Sequence, residues 1–306
     1  MRIETGAALV TTAEIRVGPA GWSYEDWAGI VYPSPRPRGF HEATYLADYF
    51  DTIEMNVTFY RPATPEMARR WLERVKANPR FLFTAKLWKE FTHEGELTAE
   101  NERAFRPGME VLLEAGKLGA LLAQFPWSFK NLPENREYLE KLRERFREFP
   151  LVVEVRHASW NRPEFYDWLA ERSLGFCNID QPVIGRSLKP SERTTAPVGY
   201  VRLHGRNYKE WFREREDESS AERYNYLYSM EELEPWAERI QKVAQSARLT
   251  FVITNNHFHG KAVTNALQLI HRLTGKPVRV PPPLLRHYPE LEPITASEGT
   301  TPSLFP

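Results

Sequence analysis

Eight short apolar runs alternate with amphipathic stretches, and this alternation constrains the fold more than any other feature of the chain. The runs lie at residues 15–18, 52–57, 81–86, 119–125, 151–156, 175–180, 199–204 and 249–255. Most are apolar along at least one face, which is typical of parallel strands covered by helices. Eight strands that alternate with helices predict an α/β fold, a single (β/α)8 barrel of the TIM-barrel-like type.

The stretches between the runs carry helical signals. Helical patterns cover residues 40–49, 65–76, 100–117, 133–148, 163–172, 229–245 and 261–274. Thr64 and Pro65 form a favourable helix start, because threonine caps free amides and proline suits the first helical position. Residues 187–197 carry Pro and Thr without a helical pattern. We therefore predict an irregular sixth crossover.

The chain shows no internal boundary until its proline-rich end. We predict one domain over residues 13–275, because no repeat or shift in composition divides that stretch. Residues 276–306 are rich in proline and lack periodicity. We expect them to form an extended tail that either wraps the barrel or is disordered.

Composition and charge limit the classes of partner. The chain has 41 basic and 41 acidic residues, so no overall field attracts nucleic acid or an anionic membrane. The single cysteine, Cys177, leaves no intrachain disulfide and fits a reducing compartment. No apolar run approaches the ~20 residues that span a bilayer, and no signal-peptide pattern opens the chain. We expect a cytoplasmic protein whose partner is a small molecule.

Polar side chains recur near the C-terminal ends of the apolar runs, at alternate positions. Glu154 and Arg156, for example, share one face of their run with Val152. Buried charges need partners or a task, and barrel enzymes place their chemistry at this end. Parity predicts that the following side chains point into the barrel: Glu54, Asn56, Lys86, Gln124, Glu154, Arg156, Asn178, Asp180, Arg202, His204, Thr254 and Asn256. Cys177 has the opposite parity, so we expect it to pack in the core.

Carboxylates and an imidazole in this group favour acid–base catalysis. We assign Glu54 and Glu154 as the preferred catalytic carboxylates, with Asp180 as a third. His204 would shuttle a proton near neutral pH, and a merely hydrogen-bonded barrel histidine is the alternative. The resulting prediction is an enzyme that uses no cofactor and acts on a small polar, anionic or sugar-like substrate.

Cations, amides and aromatic rings form the predicted substrate-binding set. Arg156 and Arg202 lie on different strands and would clamp a phosphate or carboxylate from two sides, with Lys86 as a third cation. Amides would orient hydroxyl groups, and aromatic rings would cover a sugar or base face. The amides are Asn56, Gln124 and Asn256, and the rings are Trp22, Tyr60 and Trp160.

A divalent metal is the alternative chemistry. Glu154, Asp180 and His204 end consecutive runs, while His257 and His259 follow the last one, and such ligands suit Zn, Mn or Fe. The neighbouring cations oppose a metal ion, and no short ligand motif of the H-E-x-x-H kind occurs. A metal-dependent hydrolase or isomerase therefore stays the second hypothesis. A non-catalytic protein that binds a metabolite or a nucleic-acid end is the third.

Short motifs that follow the strand ends carry a family resemblance. They are GPAGWSY at 18–24, EMNVTFY at 54–60, FTAK at 83–86, QFP at 124–126, EVRHASW at 154–160, YVRLHG at 200–205, YLYSMEEL at 226–233 and NNHFHGKAVTNA at 255–266. Together they resemble the domain of unknown function 72 family, the YecE-like proteins, over residues 15–274. The resemblance implies a TIM-barrel-like fold and supplies no reaction. Pro19 and Ala20 replace a usual Thr-Ser pair, and His257 replaces a usual Asp, so a histidine-rich metal site would be peculiar to this chain.

Overall fold

Eight parallel strands form the centre of the protein, seen in a computed structural model that describes residues 13–211 and 222–297. The strands are β1 (Glu14–Pro19), β2 (Thr52–Met55), β3 (Leu82–Lys86), β4 (Leu118–Gln124), β5 (Leu151–Glu154), β6 (Gly175–Asp180), β7 (Val198–Leu203) and β8 (Leu249–Thr254). They pair in the order β1-β8-β7-β6-β5-β4-β3-β2. The predicted (β/α)8 barrel is confirmed.

The barrel closes between β1 and β2, where pairing is reduced to a single bridge. Ala20 pairs with Glu54 in parallel, and the amide of Gly21 donates to the Glu54 carbonyl at 2.8 Å. Gly18 is required at this seam, because a Cβ there would lie 2.0 Å from the carbonyl oxygen of Thr52. The two strands approach each other too closely for a side chain at that position.

Helices cover the outside of the strands. They are α1 (Glu42–Leu46), α2 (Val57–Tyr60), α3 (Pro65–Val75), α4 (Lys89–Thr92), α5 (Ala99–Glu114), α6 (Pro133–Arg145), α7 (Pro163–Glu171), α8 (Met230–Gln245), α9 (Lys261–Thr274) and α10 (Pro282–His287). The Thr64 hydroxyl caps α3 by accepting from the Met67 amide at 3.2 Å. Ser229 and Glu232 cap α8 reciprocally, as the sequence pattern predicts. No helix in the described ranges is long and apolar enough to cross a membrane.

The connection from β6 to β7 is irregular, as predicted. Asn178 on β6 holds this segment in place. Its Nδ2 donates to the Arg193 carbonyl at 2.8 Å, while its Oδ1 accepts from the Arg193 amide at 2.7 Å and from the Ser191 hydroxyl at 2.8 Å. This connection thus supplies polar chain to part of β6, while Phe176 of the same strand packs on Tyr166 of α7.

The described part of the proline-rich tail packs on the barrel. It contains α10 and a 3-10 turn over Pro289–Ile294. Leu284 and Leu291 are completely buried, and the Tyr288 hydroxyl donates to the His259 carbonyl at 2.8 Å. Wrapping of the barrel was one of the two outcomes expected from the sequence, but the two short helical segments were not predicted. Residues 298–306 lie outside the described residues, so the course of this end of the tail stays a prediction.

Candidate active site at the C-terminal end of the barrel

A buried charge network occupies the inside of the barrel near the C-terminal ends of its strands. Arg202 on β7 lies at the centre and is completely buried. Its Nη2 donates to Glu54 Oε1 at 2.7 Å, and its Nη1 donates to Glu154 Oε2 at 2.6 Å. Nη1 also lies 3.2 Å from Gln124 Oε1. The structure thus brings four predicted site residues together through one guanidinium.

The remaining oxygen of Glu154 holds two further side chains. Oε1 accepts from Arg156 Nη2 at 3.0 Å and lies 3.1 Å from His204 Nε2. Burial by itself would raise the pKa of Glu154, but the charges of Arg202 and Arg156 hold that pKa well below its usual range. Glu154 is therefore ionised, and each of its oxygens already accepts hydrogen bonds from the protein.

His204 is neutral in this setting. It is completely buried, and burial lowers its pKa to about 3 despite the Glu154 carboxylate beside it. Asn255 Nδ2 lies 3.0 Å from His204 Nδ1, so the amide donates to that nitrogen and Nε2 carries the proton toward Glu154. The geometry fits the alternative interpretation of His204, a hydrogen-bonded barrel histidine, and does not fit a proton shuttle near neutral pH.

Both carboxylate oxygens of Glu54 also accept hydrogen bonds from the protein. Its Oε2 accepts from the Tyr200 hydroxyl at 2.9 Å, and that hydroxyl lies 2.8 Å from Thr84 Oγ1. Burial raises the pKa of Tyr200 well above its ordinary value, so the phenol keeps its proton. Tyr200 is a member of the network that the sequence analysis missed, because only charged, amide and imidazole side chains were considered on that strand.

The inner face of β6 carries Cys177, and the parity predicted for this strand is wrong. Cys177 Sγ lies 3.7 Å from Glu154 Oε2 inside the barrel. Because side chains alternate along a strand, Asn178 and Asp180 point outward. The irregular sixth crossover explains the error, since it offers hydrogen-bond partners to polar residues on the outer face of β6. Burial raises the pKa of Cys177 well above its usual value, so the thiol is protonated.

Asp180 forms an ion pair away from the buried network. Its Oδ2 accepts from Arg206 Nε at 2.8 Å, and its Oδ1 accepts from Arg206 Nη2 at 3.2 Å. Arg206 also binds Glu232 in the first turn of α8 at 3.2 Å. Asp180 therefore anchors the segment after β7 to α8, and it is not placed with Glu154 for catalysis.

The end of β8 is shifted by one position from the predicted register. Thr254 Oγ1 donates to the Ala262 carbonyl at 2.9 Å, and Asn256 Nδ2 donates to Asn265 Oδ1 at 2.8 Å, so both side chains face α9. Asn255 points inward instead and reaches His204. The prediction that Asn256 contacts a ligand inside the barrel is therefore wrong for this arrangement.

Trp160 also lies apart from the site. It is completely buried, its Nε1 donates to the Phe129 carbonyl at 2.7 Å, and its ring stacks on the Phe129 ring. Its ring centroid is 4.6 Å from that of Phe165 on α7. The role predicted for Trp160, covering one face of a ligand, does not fit a ring that is enclosed by core residues.

A cavity of about 620 Å³ opens next to the buried network. This volume suits a small ligand. Four of the predicted binding residues line it, namely Trp22, Asn56, Tyr60 and Lys86. Other lining residues were missed as ligand contacts by the sequence analysis, among them Tyr24, Arg61, Trp71, Tyr224, Asn255 and His257. Most follow strand ends, so their position behind a strand was the signal that could have identified them.

Aromatic rings form much of the cavity wall. Tyr24 stacks on His257 with ring centroids 4.5 Å apart and planes 11° apart, and Trp22 meets Trp71 edge to face at 6.2 Å. Asn56 Nδ2 donates to the Tyr24 hydroxyl at 3.3 Å. Burial lowers the pKa of His257 to about 4, so this ring is neutral near pH 7. The wall is flat, mostly uncharged and supplied with amide groups.

Lys86, at the end of β3, is a cation of the cavity that no carboxylate of the described residues pairs with directly. The residue is 9% exposed, and Nζ lies 4.0 Å from the centre of the Phe59 ring. Within the described residues, Nζ makes no hydrogen bond or ion pair. Burial, reinforced by the charge of Arg202, lowers the pKa of Lys86 to about 7. The amine is therefore divided between its charged and neutral forms near neutral pH.

The two arginines predicted to clamp an anion are already committed to carboxylates. Arg202 has no exposed surface and pairs with Glu54 and Glu154. Arg156 keeps 14% of its side chain exposed, binds Glu154, and lies with its guanidinium carbon 5.6 Å from the centre of the Trp211 ring. An anion held between these arginines would have to displace Glu154. The geometry thus supports them as partners of the carboxylates.

The ligand set of the metal hypothesis is not assembled. In residues 13–211 and 222–297, no group of three or more His, Cys, Asp or Glu side chains is placed to hold a metal ion. Glu154 and His204 are inside the barrel, whereas Asp180 faces outward to Arg206. His257 stacks on Tyr24 in the cavity wall.

Comparison with known proteins identifies the family. Residues 16–288 match the family model described as "Protein of unknown function DUF72". The chain is 28% identical over 277 residues to the UPF0759 protein YunF of Bacillus subtilis (strain 168), which covers 85% of this chain and 94% of that protein. A crystal structure of a DUF72 family protein from Thermotoga maritima MSB8 is 35% identical, with a TM-score of 0.73, and covers 85% of this chain and 99% of its own. A second, from Enterococcus faecalis V583, is 28% identical, with a TM-score of 0.74, and covers 85% and 95%. The chain therefore belongs to the DUF72 family, whose TIM-barrel-like fold it shares.

Proposed function

We propose that the protein is an enzyme that acts on a small polar substrate, anionic or sugar-like, by acid–base chemistry that requires no metal. The observation that carries this proposal is the position of Lys86. Lys86 lines the cavity, its amine has no hydrogen-bond acceptor among the described residues, and its pKa is lowered to about 7. A group that gains and loses a proton near neutral pH, in a cavity that fits a ligand, is what acid–base catalysis requires.

Lys86 takes the proton-transfer role that the sequence suggested for Glu54 and Glu154. Both carboxylates are completely buried and hydrogen-bonded at each oxygen. Their charges compensate Arg202 and so help to set the pKa of the amine. In this proposal the carboxylates are positioning residues, and Lys86 is the catalytic residue.

The cavity wall supports the proposed substrate class. The rings of Trp22, Tyr24 and Tyr60 offer apolar faces against which a sugar or another flat polar molecule could pack. The amides of Asn56 and Asn255 are suited to hydroxyl groups. Arg61 and the protonated form of Lys86 would attract an anionic group.

A non-catalytic binding protein is the second candidate, and one observation favours it. Every carboxylate of the buried network is already paired, so among the described residues the site offers a ligand aromatic and amide contacts but no free carboxylate. Such a wall would hold a metabolite without changing it. Binding without turnover is the result that would support this candidate.

The experiment is a screen of sugars, sugar acids and sugar phosphates, with binding measured by thermal shift and turnover by NMR. We expect Lys86→Met to reduce turnover about 100-fold or more, in line with the usual contribution of acid–base catalysis. Lys89→Met is the matched control, because Lys89 follows three residues later, is 44% exposed in its side chain and does not line the cavity. The profile of kcat/KM against pH should show one pKa near 7.

Two results would overturn the proposal. Full turnover by Lys86→Met would remove the lysine from the chemistry. Turnover that is lost after treatment with a chelator and restored by a divalent ion would favour the metal-dependent hydrolase or isomerase instead.

A further inference from the structure

Resting on the function proposed above, we propose that Lys86 is also a nucleophile, and that the substrate is an aldehyde or ketone with an anionic group, bound as an imine. Imine formation needs a lysine that can approach a carbonyl carbon with a free lone pair. Three features of the structure support this assignment: the access to Nζ, the charge balance around it, and the composition of the cavity wall.

Lys86 lines the cavity, so a ligand bound there lies beside this residue. The residue as a whole is 9% exposed, and Nζ lies 4.0 Å from the centre of the Phe59 ring. An aromatic face cannot accept the lone pair or remove a proton from the nitrogen. Because no side chain of the described residues hydrogen-bonds to Nζ, nothing has to be displaced when a carbonyl compound approaches from the cavity.

The charges that face Lys86 cancel one another. They come from Arg202 on β7, Glu54 on β2, and Glu154 and Arg156 at the end of β5, while His93 after α4 is a further titratable neighbour. Two carboxylates against two guanidinium groups leave no counter-charge for an ammonium ion at Nζ. Burial then favours the neutral amine, which is the nucleophilic form.

The balance of charges around Lys86 also indicates the chemical class of the ligand. The protonated imine is a cation in the place where the ammonium ion lacked a partner. A substrate that brings its own carboxylate or phosphate supplies the missing negative charge. Arg61 and the amides of Asn56 and Asn255 line the same cavity and are suited to that group and to neighbouring hydroxyls. The ligand is therefore a small oxo acid or a phosphorylated aldehyde or ketone.

The reaction is balanced without an oxidant or a metal. The Nζ lone pair forms a bond to the carbonyl carbon, and the electron pair of the C=O bond moves to oxygen, which takes a proton. The nitrogen releases a proton to solvent. The carbon–oxygen bond then breaks, and the oxygen takes up a further proton and leaves as water. One amine, one carbonyl group and one proton give one protonated imine and one water.

Reductive trapping tests this inference on the full chain. The probes are glyoxylate, pyruvate and dihydroxyacetone phosphate, each added with cyanoborohydride at about pH 7, and the label on each lysine is followed by peptide mass spectrometry. At this pH about half of an amine with a pKa near 7 is neutral, compared with about 1 in 2,500 for an ordinary lysine. Allowing for its lower intrinsic reactivity, we expect Lys86 to be labelled at least ~10-fold faster than Lys89 by one or more probes.

The comparison is made within one molecule, so it does not depend on a variant that folds. Lys76 is exposed and Lys89 is half-buried, and both serve as internal standards. Labelling of Lys86 no faster than these two by every probe would overturn the imine. If turnover in the metabolite screen depends on Lys86 but no adduct forms, the imine falls while the proposed acid–base function stands. Rapid labelling of Lys86 without turnover of any substrate would support the imine and contradict the enzyme.

Discussion

The inside of the barrel and the cavity beside it differ in how their charged side chains are paired. Inside, Glu54, Arg202 and Glu154 are completely buried, and every carboxylate oxygen is hydrogen-bonded. At the cavity, Lys86 is almost as buried, yet within residues 13–211 and 222–297 no carboxylate pairs with its amine. The first arrangement stabilises fixed charges. The second keeps a single group near the point at which its charge changes.

The pairing of a charged side chain indicates whether its role is structural or catalytic more reliably than its residue type does. A carboxylate that already accepts several hydrogen bonds is a poor proton donor or acceptor, because each bond favours its ionised form. An unpaired buried amine is the opposite case, since burial favours the form that can accept a proton or attack a carbonyl. The predictions below test whether the two regions differ in this way.

The largest effect is expected from breaking the network inside the barrel. Arg202→Met leaves Glu54 and Glu154 buried without their shared cation, and we expect the free energy of unfolding to fall by about 3–5 kcal/mol. Urea denaturation measures this loss. The control is Arg272→Met, which removes a surface pair with Glu234 whose side chains are 43% and 41% exposed. Because solvent screens such a pair, its loss should change stability far less than Arg202→Met does. Equal losses would contradict the structural role of the network.

The opposite sign is expected for Lys86. Its pKa in the folded state is about 7, well below the ordinary value, so the folded protein binds fewer protons than the unfolded chain between about pH 7 and 10. The buried charged amine therefore lowers the stability of the folded protein at low pH, and this loss disappears as the pH rises through this window. We expect Lys86→Met to be more stable than the parent near pH 6 by up to ~4 kcal/mol, the energy equivalent of this pKa shift, and the gain to shrink toward pH 10. A destabilised variant at pH 6 would show that the amine has a stabilising partner.

A smaller effect is expected from His204 on the acid side. Its pKa in the folded state is about 3, below the ordinary value of about 6.5, so the unfolded chain takes up a proton that the folded protein does not. This histidine therefore lowers stability as the pH falls from about 6.5 to 3. In His204→Gln, the slope of unfolding free energy against pH should decrease by about 1.4 kcal/mol per pH unit between about pH 6 and 4.5. An unchanged slope would mean that His204 is protonated in the folded protein.

The smallest effect is expected at the cavity rim. Tyr60 is 69% exposed, so Tyr60→Ala should change the free energy of unfolding by less than about 0.5 kcal/mol. The same substitution should weaken binding of any ligand found in the metabolite screen, because the ring borders the cavity. Calorimetric titration measures the affinity. A large loss of stability with no loss of affinity would mean that Tyr60 supports the fold and does not contact the ligand.

Much of the fold followed from the sequence, because alternation of strands and helices is a local signal. The same holds for Glu54, Gln124, Glu154 and Arg202, which alternate correctly on regular strands. The parity rule failed on β6, where Asn178 bonds to the irregular crossover and Asp180 pairs with Arg206, which follows β7. It also failed at the end of β8, where a shift of one residue exchanges the inner and outer side chains.

The chemistry of Lys86 could not be predicted from the sequence. Its pKa depends on burial and on the charges of Arg202, Glu54, Glu154 and Arg156, which come from other strands. The sequence analysis counted Lys86 as one of three equal cations. Only their arrangement in space distinguishes the two arginines that are paired from the lysine that is not.

The most direct test of this account needs no substrate. In protein labelled with 13C-lysine, the Cε resonance of Lys86 is assigned by its absence in Lys86→Met and followed by NMR against pH. The account predicts a titration midpoint near pH 7 for Lys86, about three units below that of an unperturbed lysine. A Lys86 midpoint near 10 would mean that its amine is an ordinary ammonium ion at neutral pH, and both its proton-transfer role and its role as a nucleophile would then be contradicted.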